Sequence, residues 1–244
     1  MLDANASPVS QNIISGDNYQ GTQTINATDG KITALEQKIE ALTQLLAEKD
    51  KLVAEQSNVI AEQRKQIQML MDLFLLTFYL CGINPVDLLT LKPSNVHNGR
   101  IRYKRAKTGH LYDIPVPPEA MEIIRRYKGK GWLLCPLDAY SNYRDFCHHW
   151  NDALKKIGRK EIVPDKVGRL RKVVWHPIAE GMTVYTARYT FASIGAELEI
   201  PRETIALCLG HSWADVTDHY IAYGTKRIDD AVRKIIDYVN SDKT

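Results

Sequence analysis

The sequence predicts an α+β fold, predominantly helical, in which a long coiled-coil helix precedes a domain of helices plus a small antiparallel sheet. Three patterns carry that reading. Apolar residues recur every seven positions at Ile32, Ile39, Leu46, Val53, Ile60 and Ile67. A short alternation around Ile101 and Tyr103 follows the turn dipeptide Asn98-Gly99. Helix-period stretches then fill most of the remaining chain.

Residues 1–30 are rich in Asn, Ser, Thr, Gly and Gln and poor in large apolar side chains, so they are expected to form a disordered or loosely extended arm. Residues 31–71 contain neither Gly nor Pro. Leu35, Leu42 and Leu70 fill the companion heptad positions, while Lys49, Gln56 and Gln63 dilute that seam. Leu45, Leu52 and Val59 widen the stripe, which suits more than two strands or docking on another helix. A lone amphipathic helix folded onto the following domain is the alternative. A dense apolar helix over Leu73–Cys81 opens that domain, residues 72–244. Asn84-Pro85 caps a short helix through Leu91, because Asn accepts from the first free N–H groups and Pro suits the first helical position. Arg100–Arg105 and Leu111–Val116 form a hairpin that turns at Lys107-Thr108-Gly109. Pro117-Pro118 begins a helix to about Tyr127, and Tyr143, Phe146, Trp150, Leu154 and Ile157 share one face of the next. Lys166–Trp175 reads as a basic hairpin. Helices over Val184–Leu198, Pro201–Leu209, Ala214–Ala222 and Ile228–Val239 complete the chain.

The longest apolar run, Leu73–Ile83, is too short to span a bilayer, and the N-terminus shows no secretory leader pattern. Cys81, Cys135, Cys147 and Cys208 stand far apart among apolar neighbours and are expected as free thiols in a reducing, cytoplasmic setting. Cys147-His148-His149 has no second ligand pair at zinc spacing, so no metal site is expected. The net charge of +3 is unevenly spread. Arg100–Lys172 holds 18 Lys and Arg against 8 Asp and Glu, a net of +10 that leaves −7 elsewhere. A basic block of this kind suits a polyanion, and equally a solvated surface with scattered ion pairs.

Near the C-terminus the chain reads Tyr185-Thr186-Ala187-Arg188-Tyr189-Thr190-Phe191-Ala192, then Leu209-Gly210-His211, then Thr217 and Tyr220. This ordered set resembles the C-terminal signature of the tyrosine recombinases, the phage integrase family: an HxxR helix, an LGH turn, and a nucleophilic tyrosine nine residues after the histidine. Phe78–Leu91 resembles the segment bearing the family's first catalytic arginine, and Lys107 lies in the matching hairpin turn. The likeness covers about residues 72–240. It implies DNA cleavage and rejoining through a 3′-phosphotyrosyl ester, which conserves the backbone bond energy and needs neither metal nor another cofactor. It also implies roles. Tyr220 is the nucleophile, with Tyr223 as a rival. Arg188 is a planar fork for two phosphate oxygens. His211 transfers a proton or binds the phosphate, Lys107 protonates the departing 5′-oxygen, and Tyr185 hydrogen-bonds the phosphate. Duller roles compete: Arg188 as a salt-bridging residue, Tyr220 as core, His211 as a helix cap, Lys107 as one more hairpin charge. Arg102, Lys104, Arg105, Arg169, Arg171 and Lys172 are the expected contacts to double-stranded DNA.

The chain departs from the family pattern in three ways. Asn84 stands where the family has arginine, and Tyr185 where it has histidine. Residues 1–71 hold no core-binding domain to complete the DNA clamp. Arg105 or Arg102 on the adjacent strand is expected to supply the missing charge. Two functions follow: a recombinase assembled as a homo-oligomer through its coiled coil, or a catalytically weak or inactive oligomeric DNA-binding regulator derived from an integrase.

Overall fold

The computed structural model describes residues 15–164, 171–210 and 224–241. Among these, helix predominates around two small antiparallel sheets. The chain divides into two units between Gln63 and Arg64, ahead of the expected boundary at 71.

The first unit consists of helix α1 (Ser15–Tyr79) up to Gln63. The helix begins at Ser15, so the polar stretch from there to residue 30, expected to be extended, is helical. Ile32, Ile39, Leu46, Val53 and Ile60 are all about half to two-thirds exposed, as are Leu35, Leu42 and Leu52.

The second unit holds the core. Residues of α1 from Leu70 onward are already part of it: Leu70, Leu73, Leu76 and Leu80 are buried, and the Trp150 indole donates to the Leu70 carbonyl at 2.9 Å. Asp72 is buried as well, where it accepts from Arg126 and Tyr127 at 2.7 Å each. A turn leads to α2 (Pro85–Leu89), capped by the Asn84 side chain on the Val86 N–H. A 3₁₀ turn (Pro93–Asn95) precedes β1 (Val96–His97), β2 (Arg100–Lys104) and β3 (Leu111–Pro115), which pair in that order. Asn98 and Gly99 both adopt positive φ, as a two-residue hairpin turn with right-handed strand twist requires. The β2–β3 register sets Ile101 opposite Ile114 and Tyr103 opposite Tyr112, so all four face the core.

Helices α3 (Pro118–Arg126), α4 (Pro136–Ala139) and α5 (Tyr143–Leu154) follow. Phe146, Trp150 and Leu154 form the buried face of α5. The second hairpin differs from its expected span. Its strands are β4 (Gly158–Pro164) and β5 (Arg171–Pro177), so it begins before Lys166. Arg159, Glu161 and Val163 pair with His176, Val174 and Lys172. Helices α6 (Val184–Glu197), α7 (Arg202–Leu209) and α8 (Gly224–Ser241) close the unit, with Phe191, Ile235 and Ile236 fully buried. The expected helix at Ala214–Ala222 lies outside the described residues. The four cysteines are free. Among the described residues no helix is long and apolar enough to cross a membrane.

Candidate active site

Arg188 is held by the amphipathic phase of α6. Val184, Ala187, Phe191 and Gly195 form the buried stripe of that helix. Arg188 follows Ala187 on the stripe's flank, so its stem is half-buried while Tyr185 and Tyr189 are exposed. The helix start is fixed from outside, since the Val184 N–H donates to the Asn151 side chain at 3.0 Å.

Two backbone turns receive the guanidinium. Its Nη1 donates to the Gly82 carbonyl at 2.8 Å and its Nη2 to the Leu209 carbonyl at 2.5 Å. Gly82 has φ +61, and a Cβ there would lie 2.6 Å from the Arg188 Cα. Only glycine lets the chain leaving α1 pass so close to α6. Gly210 ends α7 in the left-handed conformation with φ 66, and a Cβ there would overlap the Tyr112 side chain. The Tyr112 hydroxyl donates to the Gly210 carbonyl and lies 3.2 Å from the Leu209 carbonyl. The Leu-Gly turn of the motif is therefore pinned by strand β3 as well as by Arg188.

Arg105 converges on the same turn. Its Nη1 stands 3.4 Å from both the Tyr112 hydroxyl and the Gly210 carbonyl. Burial, and after it the Arg105 charge, lower the pKa of the Arg188 guanidinium, which as an arginine still stays protonated. Two cations thus share one small region. Asp87, on α2, is buried beside them and accepts from the Ala106 N–H at 2.8 Å. Burial raises its pKa, while that hydrogen bond and the charges of Arg105 and Arg188 pull the other way.

Asn84 and Tyr185 meet. The Asn84 amide donates to the Tyr185 hydroxyl at 2.6 Å across 101 residues of sequence, while its carbonyl caps α2. Lys107 is exposed in the hairpin turn, closed by the Gly109 N–H on the Arg105 carbonyl and the Arg105 N–H on the His110 carbonyl. Lys104 is exposed on β2, and Arg102, also exposed, donates to Asp113 at 2.7 Å. Arg171 and Lys172 lie on β5 opposite Pro164 and Val163. His211, Tyr220, Tyr223 and Arg169 lie outside the described residues.

Of the sequence candidates, Arg188 and Arg105 therefore meet at the Leu209-Gly210 turn, while Tyr185, one turn before Arg188 on α6, pairs with Asn84. Sequence reasoning missed Gly82, Asp87 and Tyr112. A signal for Tyr112 existed: its alternation with Ile114 marks it as inward-facing, and a buried tyrosine hydroxyl needs a partner. The sequence matches no model of a known protein family and none of the curated proteins.

Proposed function

We propose that this chain is a tyrosine-type site-specific DNA recombinase, with an integrase-like unit over residues 72–244 that cleaves and rejoins DNA through a 3′-phosphotyrosyl intermediate. One observation supports this most. Four segments distant in sequence (Gly82–Asn84, Arg105, Tyr185–Arg188 and Leu209-Gly210) converge on a point where two guanidiniums lie together. Like charges gathered at a backbone turn are the arrangement that a phosphate stabilises. In the proposed reaction the Tyr220 oxygen attacks phosphorus while Arg188 neutralises the non-bridging oxygens. The P–O5′ bond breaks, His211 receives the phenolic proton or holds the phosphate, and Lys107 gives a proton to the departing oxygen. Lys104, Arg102, Arg169, Arg171 and Lys172 neutralise flanking phosphates of double-stranded DNA, which makes binding salt-dependent. The exposed heptad positions from Ile32 to Ile67 support a homo-oligomer. The free thiols fit a cytoplasmic setting.

One observation favours a second reading. Asn84 and Tyr185 are engaged with each other, as in a site no longer spending those positions on a phosphate. That suits a catalytically weak or inactive DNA-binding regulator. Incubation with nicked duplexes of randomised sequence separates the two. The recombinase reading expects covalent protein–DNA adducts that Tyr220→Phe abolishes. Salt-dependent binding without any adduct would leave the regulator. Sedimentation of the full chain tests assembly: a multiple of the chain mass is expected, lowered by Ile39→Asp with Val53→Asp.

A further inference from the structure

The β4–β5 hairpin stands apart from the core of the second unit. Among the described residues none of β4 or β5 belongs to that core. The hairpin joins it at Ile157, which packs against the core and whose carbonyl accepts from the Ile178 N–H at 2.9 Å. The two strands pair residue for residue, so their side chains sort onto two faces by parity. One face is closed by its own charges: the Glu161 carboxylate meets His176 at 2.8 Å and Arg159 at 3.4 Å. The other carries Lys160 and Ile162 on β4 opposite Trp175 and Val173 on β5. Ile162 is 56% exposed, Val173 43% and Trp175 40%, and the Lys160 ammonium stands 5.8 Å from the centre of the Trp175 ring. By residue type this face holds no Asp or Glu, and among the described residues no carboxylate pairs with Lys160.

Three half-exposed apolar side chains on a free ribbon gain when something covers them. The charge of the hairpin selects what that is. Gly158–Pro177 holds six Lys and Arg against two Asp and Glu, so a second copy of the ribbon is repelled and a polyanion is drawn in. Shape selects further: a two-stranded ribbon fits the major groove of B-DNA, about 12 Å wide, and not the minor groove, about 6 Å wide. We propose that the face bearing Lys160, Ile162, Val173 and Trp175 enters the major groove and reads base edges, as a sequence-reading element built from other residues than the arginine site. Ile162 and Val173 meet a thymine methyl group, and the Lys160 ammonium meets the guanine O6 and N7 acceptors. Trp175 steadies Lys160 over its ring and covers the neighbouring base step. The two cross-strand rows are two residues apart, about 7 Å along the ribbon, a span of about two base pairs.

The inference rests on the DNA-binding part of the proposed function, and the test keeps the two apart. Duplexes of randomised sequence are incubated with the full chain and the retained ones are sequenced. Affinity is then measured by fluorescence anisotropy on a retained and an unselected duplex. The wild-type protein is expected to enrich guanine and thymine about two base pairs apart. Ile162→Ser with Val173→Ser should weaken binding of the retained duplex roughly 10- to 100-fold and leave the unselected one nearly as tightly bound. The salt dependence should not change, since no phosphate-neutralising charge is lost. Lys160→Gln should relax the guanine preference, whereas Glu161→Gln, on the opposite face, should leave the whole preference intact. None of these side chains is in the core, so urea unfolding should match the wild type. Should the double variant fail to fold, Lys160→Gln carries the test. Binding without sequence preference overturns the proposal, as does an enriched pattern that no variant relaxes or an equal loss on both duplexes. Tighter binding of single strands than of the retained duplex also overturns it, as does a smaller assembly of the double variant in sedimentation, which would mark a protein contact. No DNA binding by the wild-type protein would instead overturn the proposed function itself, and this inference with it.

Discussion

The two ends of the β2–β3 hairpin treat arginine in opposite ways. At the Arg100 end every guanidinium meets a carboxylate. Arg100 contacts Asp113 and reaches Asp229 on α8 at 2.7 Å, and Arg102 shares Asp113. Burial works against the Arg100 charge, but hydrogen bonds to Asp229 and Asp113 raise its pKa overall. At the Arg105 end the described hydrogen-bond acceptors are the Gly82, Leu209 and Gly210 carbonyls and the Tyr112 hydroxyl, the Asp87 carboxyl lies nearby, and burial lowers the pKa of Arg188. The first end fastens a sheet to a helix. The second gathers two guanidiniums at the Leu209-Gly210 turn with the buried Asp87 carboxyl beside them.

That contrast can be broken by mutation, and the largest effect should come from the cationic end. Arg188→Ala is expected to lower adduct formation about 1000-fold in trapping assays on nicked duplexes. Binding of the same DNA should fall far less, because flanking phosphates still hold the duplex. A comparable loss of both would make Arg188 a structural residue.

Next in size is the turn that both arginines touch. Gly210→Ala places a methyl group against the Tyr112 ring and forces a side chain into the left-handed region, which should destabilise the fold by roughly 2–4 kcal/mol. Urea unfolding measures it, and a loss below about 1 kcal/mol would show that the turn is not pinned as described.

Removing Arg100 should cost about 1–3 kcal/mol, since it leaves Asp113 and Asp229 without their shared partner. The rate of adduct formation per folded molecule should not change, in contrast to Arg188→Ala. Equal effects of the two substitutions on the chemistry would erase the distinction between the hairpin's ends.

A smaller, pH-dependent effect belongs to α3 and α8. The Arg233 side chain holds the Glu119 carboxyl below its ordinary value of 4.5, against the cost of burial. A depressed carboxylate stabilises the fold above its unfolded pKa, and that stability is lost as pH falls through the lowered value. Unfolding measured from neutral to acid pH should therefore show a decline below 4.5 that Glu119→Gln flattens. Smallest of all is Arg102→Ala. Its exposed pairing with Asp113 should change stability by no more than about 0.5 kcal/mol.

Much of the fold was legible because its signals are local. The helix beneath the heptad repeat, the Asn98-Gly99 turn, the Asn84-Pro85 helix start and the apolar face of α5 all appear where short-range patterns put them. The second hairpin begins earlier than its basic residues suggest, because its first strand, Gly158–Pro164, mixes charged and apolar residues without a clean two-residue period. The polar stretch from Ser15 to residue 30 is helical despite its composition, as the leading part of one long helix.

The site divides along the same line. Arg188, Tyr185 and the Leu209-Gly210 turn can be chosen from motif spacing, since each belongs to a contiguous element. The choice between Arg102 and Arg105 also had a sequence signal, the two-residue period that groups Arg105 with Ile101 and Tyr103, but its value depended on knowing which face is covered.

By itself, then, the sequence determined most of the described helices, the place of the first hairpin and the identity of the charged residues, all properties of neighbours along the chain. Only the tertiary structure decided that Asn84 binds Tyr185, that Tyr112 locks the Gly210 turn, and that Arg105 rather than Arg102 stands with Arg188. Those pairings join residues about 80 to 100 positions apart, and they exist because α6, α7 and the first sheet bury their apolar faces in one core, which carries the polar residues on their flanks into contact.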